Sequence, residues 1–166
     1  MTIHQGLLIP GKKKFGIVVS RFNDYITERL LAGALRTLKK AGVQDSHIKV
    51  VWVPGGLEVP FFCRKLKMQK HCDVLIALSC VIRGGTFHFE CVSNELTRGI
   101  SQVALETGTP IATGVITVDS LEQAIDRAGL KHGNKGEQAA LAALEIASLN
   151  EQLTVKAKSS KARKKK

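Results

Sequence analysis

The sequence predicts a single α/β domain in which one parallel sheet is covered by helices on both faces. Three observations lead there. Four short apolar runs rich in Val and Ile alternate with stretches of helical apolar spacing. The repeated β-then-α order calls for parallel strands joined by helical crossovers. A length of 166 residues, with no internal repeat and no linker, suits one domain with its own core.

Phe15-Gly16-Ile17-Val18-Val19 reads as the first strand and ends at Ser20-Arg21-Phe22-Asn23. Helical spacing follows through Ile26, Leu30, Leu31, Ala34, Leu35 and Leu38 and stops at Gly42. Lys49 to Val53 is the second strand, cut by Pro54-Gly55-Gly56, and a short helix runs from about Glu58 to Met68. Val74 to about Ile82 is the third strand, with its helix from about Phe89 to Thr107. Pro110 introduces the fourth strand, Ile111 to Val118. Ser120 is placed to cap a short helix that reaches Ala128. Gly133-Asn134-Lys135-Gly136 breaks the chain before a last, alanine-rich helix to about Leu149. The domain is expected over residues 15–152, after an N-terminal segment 1–14 and before a tail, 153–166.

Composition narrows the function classes. Hydrophobic content of 44% is globular rather than disordered. No apolar stretch approaches the roughly 20 residues of a membrane span, and the N-terminus lacks a signal-peptide pattern. Cys63, Cys72, Cys80 and Cys91 show no CxxC spacing, so neither a zinc ribbon nor a redox dithiol is indicated. Reduced, buried thiols in a cytoplasmic protein are expected. Of the net charge of +11, seven units sit on Lys156, Lys158, Lys161, Arg163, Lys164, Lys165 and Lys166, leaving +4 for the rest. With no acid after Glu151, that tail reads as a solvated, disordered arm with non-specific affinity for polyanions.

The functional signal lies at the strand ends. In a parallel sheet, ligands bind outside the carboxyl edge of the strands. The third strand hands over to its helix through Arg83-Gly84-Gly85-Thr86-Phe87-His88. Glycines there let backbone N–H groups approach an anion, and the helix N-terminus adds partial positive charge. His88 is the one histidine of five inside a glycine-rich loop and suits general acid–base work. The other strand ends bring Phe22-Asn23, Gly55-Gly56-Leu57-Glu58 and Thr117-Val118-Asp119 to the same edge. Together they offer a flat plate, a carboxylate, an anion cradle and a proton carrier, as a small polar ligand bearing a phosphate requires. Taken singly each is ambiguous. Gly55-Gly56 fits a plain tight turn, Glu58 fits a helix cap and Phe22 fits ordinary core. A nucleotide P-loop, a GxSxG elbow and a metal site are all absent from the pattern.

VVWVPGGLEVP, LSCVIRGGTFHFECVSNELTRGI and PIATGVITVDSLEQAIDRAGLKHGNKGEQAALAALEIASL resemble successive blocks of the lumazine synthases, from about Phe15 to Leu149. The resemblance implies a flavodoxin-like, four-stranded parallel sheet in a three-layer α/β/α sandwich. It implies condensation of 5-amino-6-(D-ribitylamino)uracil with 3,4-dihydroxy-2-butanone 4-phosphate to 6,7-dimethyl-8-ribityllumazine, releasing phosphate and water. No metal or organic cofactor is implied. By position, Phe22 would stack on the pyrimidine, and Gly56, Leu57 and Glu58 would hold the ribityl chain. Backbone groups of Cys80, Val81 and Ile82 would meet the pyrimidine edge. Gly85 and Thr86 would cradle phosphate, and His88 would move protons. Arg127 and Lys135 would reach in from a neighbouring subunit, Arg127 as the phosphate-binding arginine.

The sequence departs from the family pattern at three positions. Leu57 stands where an aromatic is usual, Phe87 where Pro or Ala is frequent, and Thr113 where a Phe closes over the substrate from the adjacent subunit. A missing aromatic wall weakens pyrimidine stacking by about 0.5–1.5 kcal/mol. The resemblance also implies pentameric rings, or twelve rings packed as a hollow shell, with riboflavin synthase as a candidate partner. Two other readings fit parts of the chain: a module that binds a flavin or lumazine without catalysis, and a polyanion-binding scaffold built on the tail.

Overall fold

A computed structural model describes the backbone of residues 1–163 and the side chains of residues 1–154. The strands and α-helices follow in the order β1 (Phe15–Ser20), α1 (Asp24–Lys40), β2 (Ile48–Val53), α2 (Val59–Met68), β3 (Val74–Ile82), α3 (His88–Thr107), β4 (Ile111–Val118), α4 (Leu121–Arg127) and α5 (Lys135–Arg163). The strands pair in parallel in the order β2-β1-β3-β4. This is the single-domain α/β sandwich that the alternation of patterns predicts, with the flavodoxin-like, four-stranded sheet that the resemblance implies.

Apart from Ser20 and Ser79, the central strands are apolar because both their faces are covered. In β1, Phe15, Ile17 and Val19 join a core with Leu30, Ala34 and Leu38 of α1 and Ala140, Ala143 and Leu144 of α5. Val18 turns the other way, toward Val59, Cys63 and Leu66 of α2 and Leu96, Ile100 and Val103 of α3. β3 repeats the alternation, with Ile76 and Leu78 in the first core and Leu75 and Ala77 in the second. β4 lies at the sheet edge, and its burial alternates residue by residue, with Thr113 exposed at mid-strand.

Local chemistry sets the element ends. Ser20, Arg21 and Phe22 lead into Asn23, which takes the left-handed region at φ 60° that asparagine tolerates. Ser120 caps α4 by accepting a hydrogen bond from Gln123 N–H, as the sequence indicates. Asn134 caps α5 through Oδ1, which accepts the N–H groups of Gly136 (2.8 Å) and Glu137 (3.2 Å). The helix therefore starts inside the Gly133–Gly136 segment rather than after it. A Cβ on Gly136 would overlap the Leu30 carbonyl of α1, so glycine permits the close approach of the two helices.

The sequence pattern places the end of this helix near Leu149, whereas α5 continues to Arg163. No Gly or Pro occurs after Gly136, and Ala, Leu, Glu, Gln and Lys dominate, so nothing in the backbone stops the helix. The high charge suggests disorder, but charge alone does not break a helix. Side chains from 155 onward and the whole of 164–166 lie outside the described residues, as does any polyanion contact they make. Residues 1–14 form no helix or strand, and they lie along α5, where Gln152 Nε2 donates to Gln5 O at 2.9 Å and Lys13 pairs with Glu151 at 3.0 Å. Among the described residues no helix is long and apolar enough to cross a membrane.

Candidate active site

The strand order reverses direction between β1 and β3, so the loops leaving their carboxyl ends diverge and open a crevice. A cavity of about 510 Å³ lies there. Its walls come from three of the four strand ends. Phe22 follows β1, and Pro54, Gly55, Gly56, Leu57 and Glu58 follow β2. Cys80, Val81, Ile82, Gly84, Thr86 and His88 come from the end of β3 and the loop beyond it. Phe89 and Val92 complete it from the first turns of α3. The volume suits a heterocycle with a short polar chain.

A buried polar scaffold holds the floor. Ser20 and Ser79 share a hydrogen bond of 2.9 Å between β1 and β3. Thr27 Oγ1 donates to Ser20 O at 2.7 Å, and Asn23 Nδ2 donates to Cys80 O at 3.0 Å. Phe22 N–H is tied to Pro54 O at 3.1 Å, which joins the β1 and β2 loops. Gly56 is buried where a Cβ would stand 3.1 Å from Leu96 and 3.3 Å from Ser79 Oγ. Glycine at this position is therefore more than a turn former.

The mouth is apolar and open. Phe22 is 71% exposed and Leu57 49%, so each presents a face to a ligand instead of filling the core. Glu58 has two functions in the fold. Its Oε2 accepts the Gly55 N–H at 2.8 Å, and the residue also lines the cavity. The cap and the ligand readings of Glu58 are thus compatible. Cys80 contributes to the wall, but burial pushes its thiol up to about 12, which leaves it protonated and inert.

The lip after β3 begins with a residue whose side chain is already engaged. Arg83 does not face an incoming anion. Its Nε donates to Asp119 Oδ1 at 2.6 Å, its Nη1 bonds Glu90 Oε1, and its guanidinium lies 4.2 Å over the Phe89 ring. Hydrogen bonds to Asp119 and then Glu90 raise the Arg83 pKa, and the bond from Arg83 lowers that of Glu90. Gly84, Gly85, Thr86 and Phe87 form the free loop, and His88 is the first residue of α3, exposed at the cavity. Phe87 precedes the helix without a side-chain cap, and only its carbonyl engages the first turns, accepting the Glu90 N–H at 3.2 Å.

Of the sequence-derived site residues, Phe22, Gly56, Leu57, Glu58, Cys80, Val81, Ile82, Thr86 and His88 line one cavity. Gly85 lies in the lip without lining it. Thr117, Val118 and Asp119 add no wall, because Asp119 is engaged by Arg83. Thr113, Arg127 and Lys135 are not at the cavity of their own chain. Thr113 is exposed on β4, Arg127 is half-buried at the end of α4, and Lys135 Nζ donates to Gln138 at 2.8 Å. Phe89 and Val92 escape the sequence reading; with His88 they recur at i, i+1 and i+4, one face of the first helical turns.

Fold and cavity define an enzyme-like α/β domain whose site, at the carboxyl edge of the sheet, offers an aromatic plate, a carboxylate, a glycine lip and a histidine. Comparison with known proteins narrows this class. Residues 12–151 match the family model of 6,7-dimethyl-8-ribityllumazine synthase. A 6,7-dimethyl-8-ribityllumazine synthase of Kosmotoga olearia is 46% identical over 153 residues, covering 92% of this chain and 98% of that relative. The chain belongs to the 6,7-dimethyl-8-ribityllumazine synthase family, the enzymes that form this lumazine in riboflavin biosynthesis.

Proposed function

We propose that the cavity between the β1, β2 and β3 ends is where this chain condenses 5-amino-6-(D-ribitylamino)uracil with 3,4-dihydroxy-2-butanone 4-phosphate. One observation carries the reading: Phe22, Glu58, the Cys80–Ile82 strand end, Thr86 and His88 all line a single cavity. Phe22 stacks on the pyrimidine, and the backbone of Cys80, Val81 and Ile82 meets its polar edge. Gly56 and Leu57 flank the ribityl chain, and the Glu58 carboxylate accepts its hydroxyl protons. Gly85, Thr86 and the open N-terminus of α3 hold the phosphate.

The chemistry needs positioning and proton transfer. The uracil amine attacks the butanone carbonyl and water leaves, giving a Schiff base. Loss of a proton next to that imine then expels inorganic phosphate. The enol left behind tautomerises to a ketone, the second nitrogen closes the ring on that new carbonyl, and a second water departs. His88, beside the phosphate lip, takes and returns the protons of these steps.

The lip lacks a cation of its own, since Arg83 is committed to Asp119 and Glu90. Arg127 and Lys135 supply the missing charge from a neighbouring subunit, with Thr113 beside them, in a pentameric ring or a shell of such rings. An arginine fork matches phosphate oxygens. Riboflavin synthase, which consumes the product, remains a candidate partner. The four free cysteines fit a cytoplasmic protein.

Purified protein mixed with both substrates is expected to develop lumazine fluorescence with release of one phosphate per product. Absence of product at high protein concentration would overturn this reading. Binding of added lumazine without turnover would instead support the non-catalytic module, the alternative that Leu57 and Thr113 favour.

A further inference from the structure

We propose that Arg83 is a positioning residue that fixes the phosphate half of the site without touching substrate. The proposal rests on the lumazine-forming reading of the cavity. Arg83 is the last residue before the glycine loop, and its own N–H donates to Val118 O at 2.9 Å, so its backbone is held by the end of β4. Its side chain spans the loop and grips the far end at two successive residues, Glu90 by a charged hydrogen bond and Phe89 by its ring face. A third contact, to Asp119, anchors the same guanidinium to the loop after β4.

Between these pins lie only Gly84, Gly85, Thr86, Phe87 and His88. A Cβ on Gly84 or Gly85 would meet nothing within 4 Å, so packing does not hold this stretch. All four loop residues and His88 are exposed. Two glycines carry the largest backbone entropy of any residues, and an open loop of this kind samples many conformations unless its ends are tied. Arg83 ties them. It thereby sets the distance between the Thr86 cradle and the His88 ring that a phosphate elimination needs.

Arg83 also disposes of charge. Glu90 Oε2 is buried with no hydrogen-bond partner, and the hydrogen bond from Arg83 to Oε1 is the main contact that stabilises the carboxylate, ahead of the Glu90 backbone N–H. Without the guanidinium, Glu90 would be an uncompensated anion two residues from His88 and would repel a phosphate at the lip. Lysine cannot replace this arrangement, because it is a point charge that cannot fork between two carboxylates or lie flat on Phe89.

The test uses Arg83→Gln, Arg83→Lys and Asp119→Asn in the assembled protein. Arg83→Gln is expected to lower kcat by about 10- to 100-fold, the range set by misplacement of reacting groups, and to raise the KM of the phosphorylated butanone about tenfold. Binding of the uracil substrate alone, by calorimetry, should change less than twofold, because Phe22, Glu58 and the β3 end are untouched. Arg83→Lys should fall between Arg83→Gln and wild type. Inorganic phosphate, titrated without turnover, should bind about tenfold more weakly to Arg83→Gln, a roughly 1.4 kcal/mol change. Should Arg83→Gln fail to fold, Asp119→Asn is expected to show the same split at smaller size. Kinetics and phosphate binding within twofold of wild type, or equal losses for both substrates, would overturn the proposal. If wild type forms no lumazine yet phosphate binding still depends on Arg83, the functional reading fails and the positioning role stands.

Discussion

Glu58 Oε2 accepts the Gly55 N–H at 2.8 Å while the same residue lines the cavity, so one residue both closes the β2 loop and forms part of the cavity wall. The two roles separate by substitution. Glu58→Gln keeps an amide oxygen for the Gly55 N–H and keeps the volume, but loses the charge that strengthens bonds from ribityl hydroxyls. It is expected to retain wild-type melting and to raise the KM of the uracil substrate by about tenfold, one charge-assisted hydrogen bond of about 1.5 kcal/mol. Glu58→Ala should add a loss of about 1 kcal/mol in denaturant stability from the broken cap. Equal KM values for Glu58→Gln and wild type would leave Glu58 with the cap alone.

How much of the molecule is legible in the sequence varies with the range of the interaction. β3 and β4 are recognised residue for residue, because Val74–Ile82 and Ile111–Val118 are unbroken β-rich runs bounded by Asp73 and Arg83, Pro110 and Asp119. The convergence of Phe22, Glu58 and His88 on one cavity is legible because strand ends in a parallel sheet share one edge. Side-chain pairing is not legible. Arg83 finds its partner Asp119 36 residues away, a pairing that only the β3–β4 register creates. Phe89 and Val92 are hidden because the phase of α3 depends on where the loop releases it. The end of α5 is misplaced when lysine content is weighed above the absence of any breaker. Nothing in the spacing of Thr113, Arg127 or Lys135 ties them to the cavity, and only family resemblance singles them out.

Asn134 joins three elements at one buried point. Its Nδ2 donates to Arg29 O at 2.9 Å and to Ala128 O at 3.2 Å, and its Oδ1 caps α5. A Cβ on Gly33 would stand 2.5 Å from Oδ1, so α1 leaves room for this side chain. Asn134→Ala removes a cap and strands buried carbonyls, and about 2–4 kcal/mol of stability should disappear. Urea titration followed by circular dichroism measures this. A change under 1 kcal/mol would show that water replaces the amide.

The cysteines make an alkaline prediction. Burial pushes Cys63 and Cys80 up to about 12 and Cys72 up to about 11, against an ordinary 9.0. Above pH 9 the unfolded chain loses these thiol protons while the folded chain keeps them, so the unfolded state binds fewer protons and stability falls as pH rises. The contribution is complete below pH 9 and is lost progressively toward pH 11–12. Exposed Cys91 is expected to react with a thiol reagent in the native protein at pH 8, with the other three reacting only on unfolding. Four equally fast thiols would contradict this burial.

Residues 154–166 carry seven positive charges, whereas the described residues that line the cavity all lie between Phe22 and Val92. Their deletion is expected to leave kcat and both KM values within twofold and to lower the salt concentration at which the protein elutes from heparin, because counterion release scales with the cations engaged. Loss of turnover on deletion would show that the tail acts in assembly or at the site.

A site shared between subunits has a signature that no single variant gives. His88→Ala is expected to lose up to about 100-fold in kcat, the low end for general acid–base catalysis, because a shaped pocket still lets the slow condensation proceed. Arg127→Ala should weaken the phosphorylated substrate more than the uracil. Co-expression of the two variants then discriminates. If Arg127 serves the neighbour's cavity, a subunit with intact His88 beside one with intact Arg127 rebuilds a whole site. With random mixing in a ring, about a quarter of interfaces are of this kind, so activity should rise to roughly a quarter of wild type. If each chain uses its own Arg127, every site keeps one lesion and the mixture stays at the mean of its parents, which would refute the shared site.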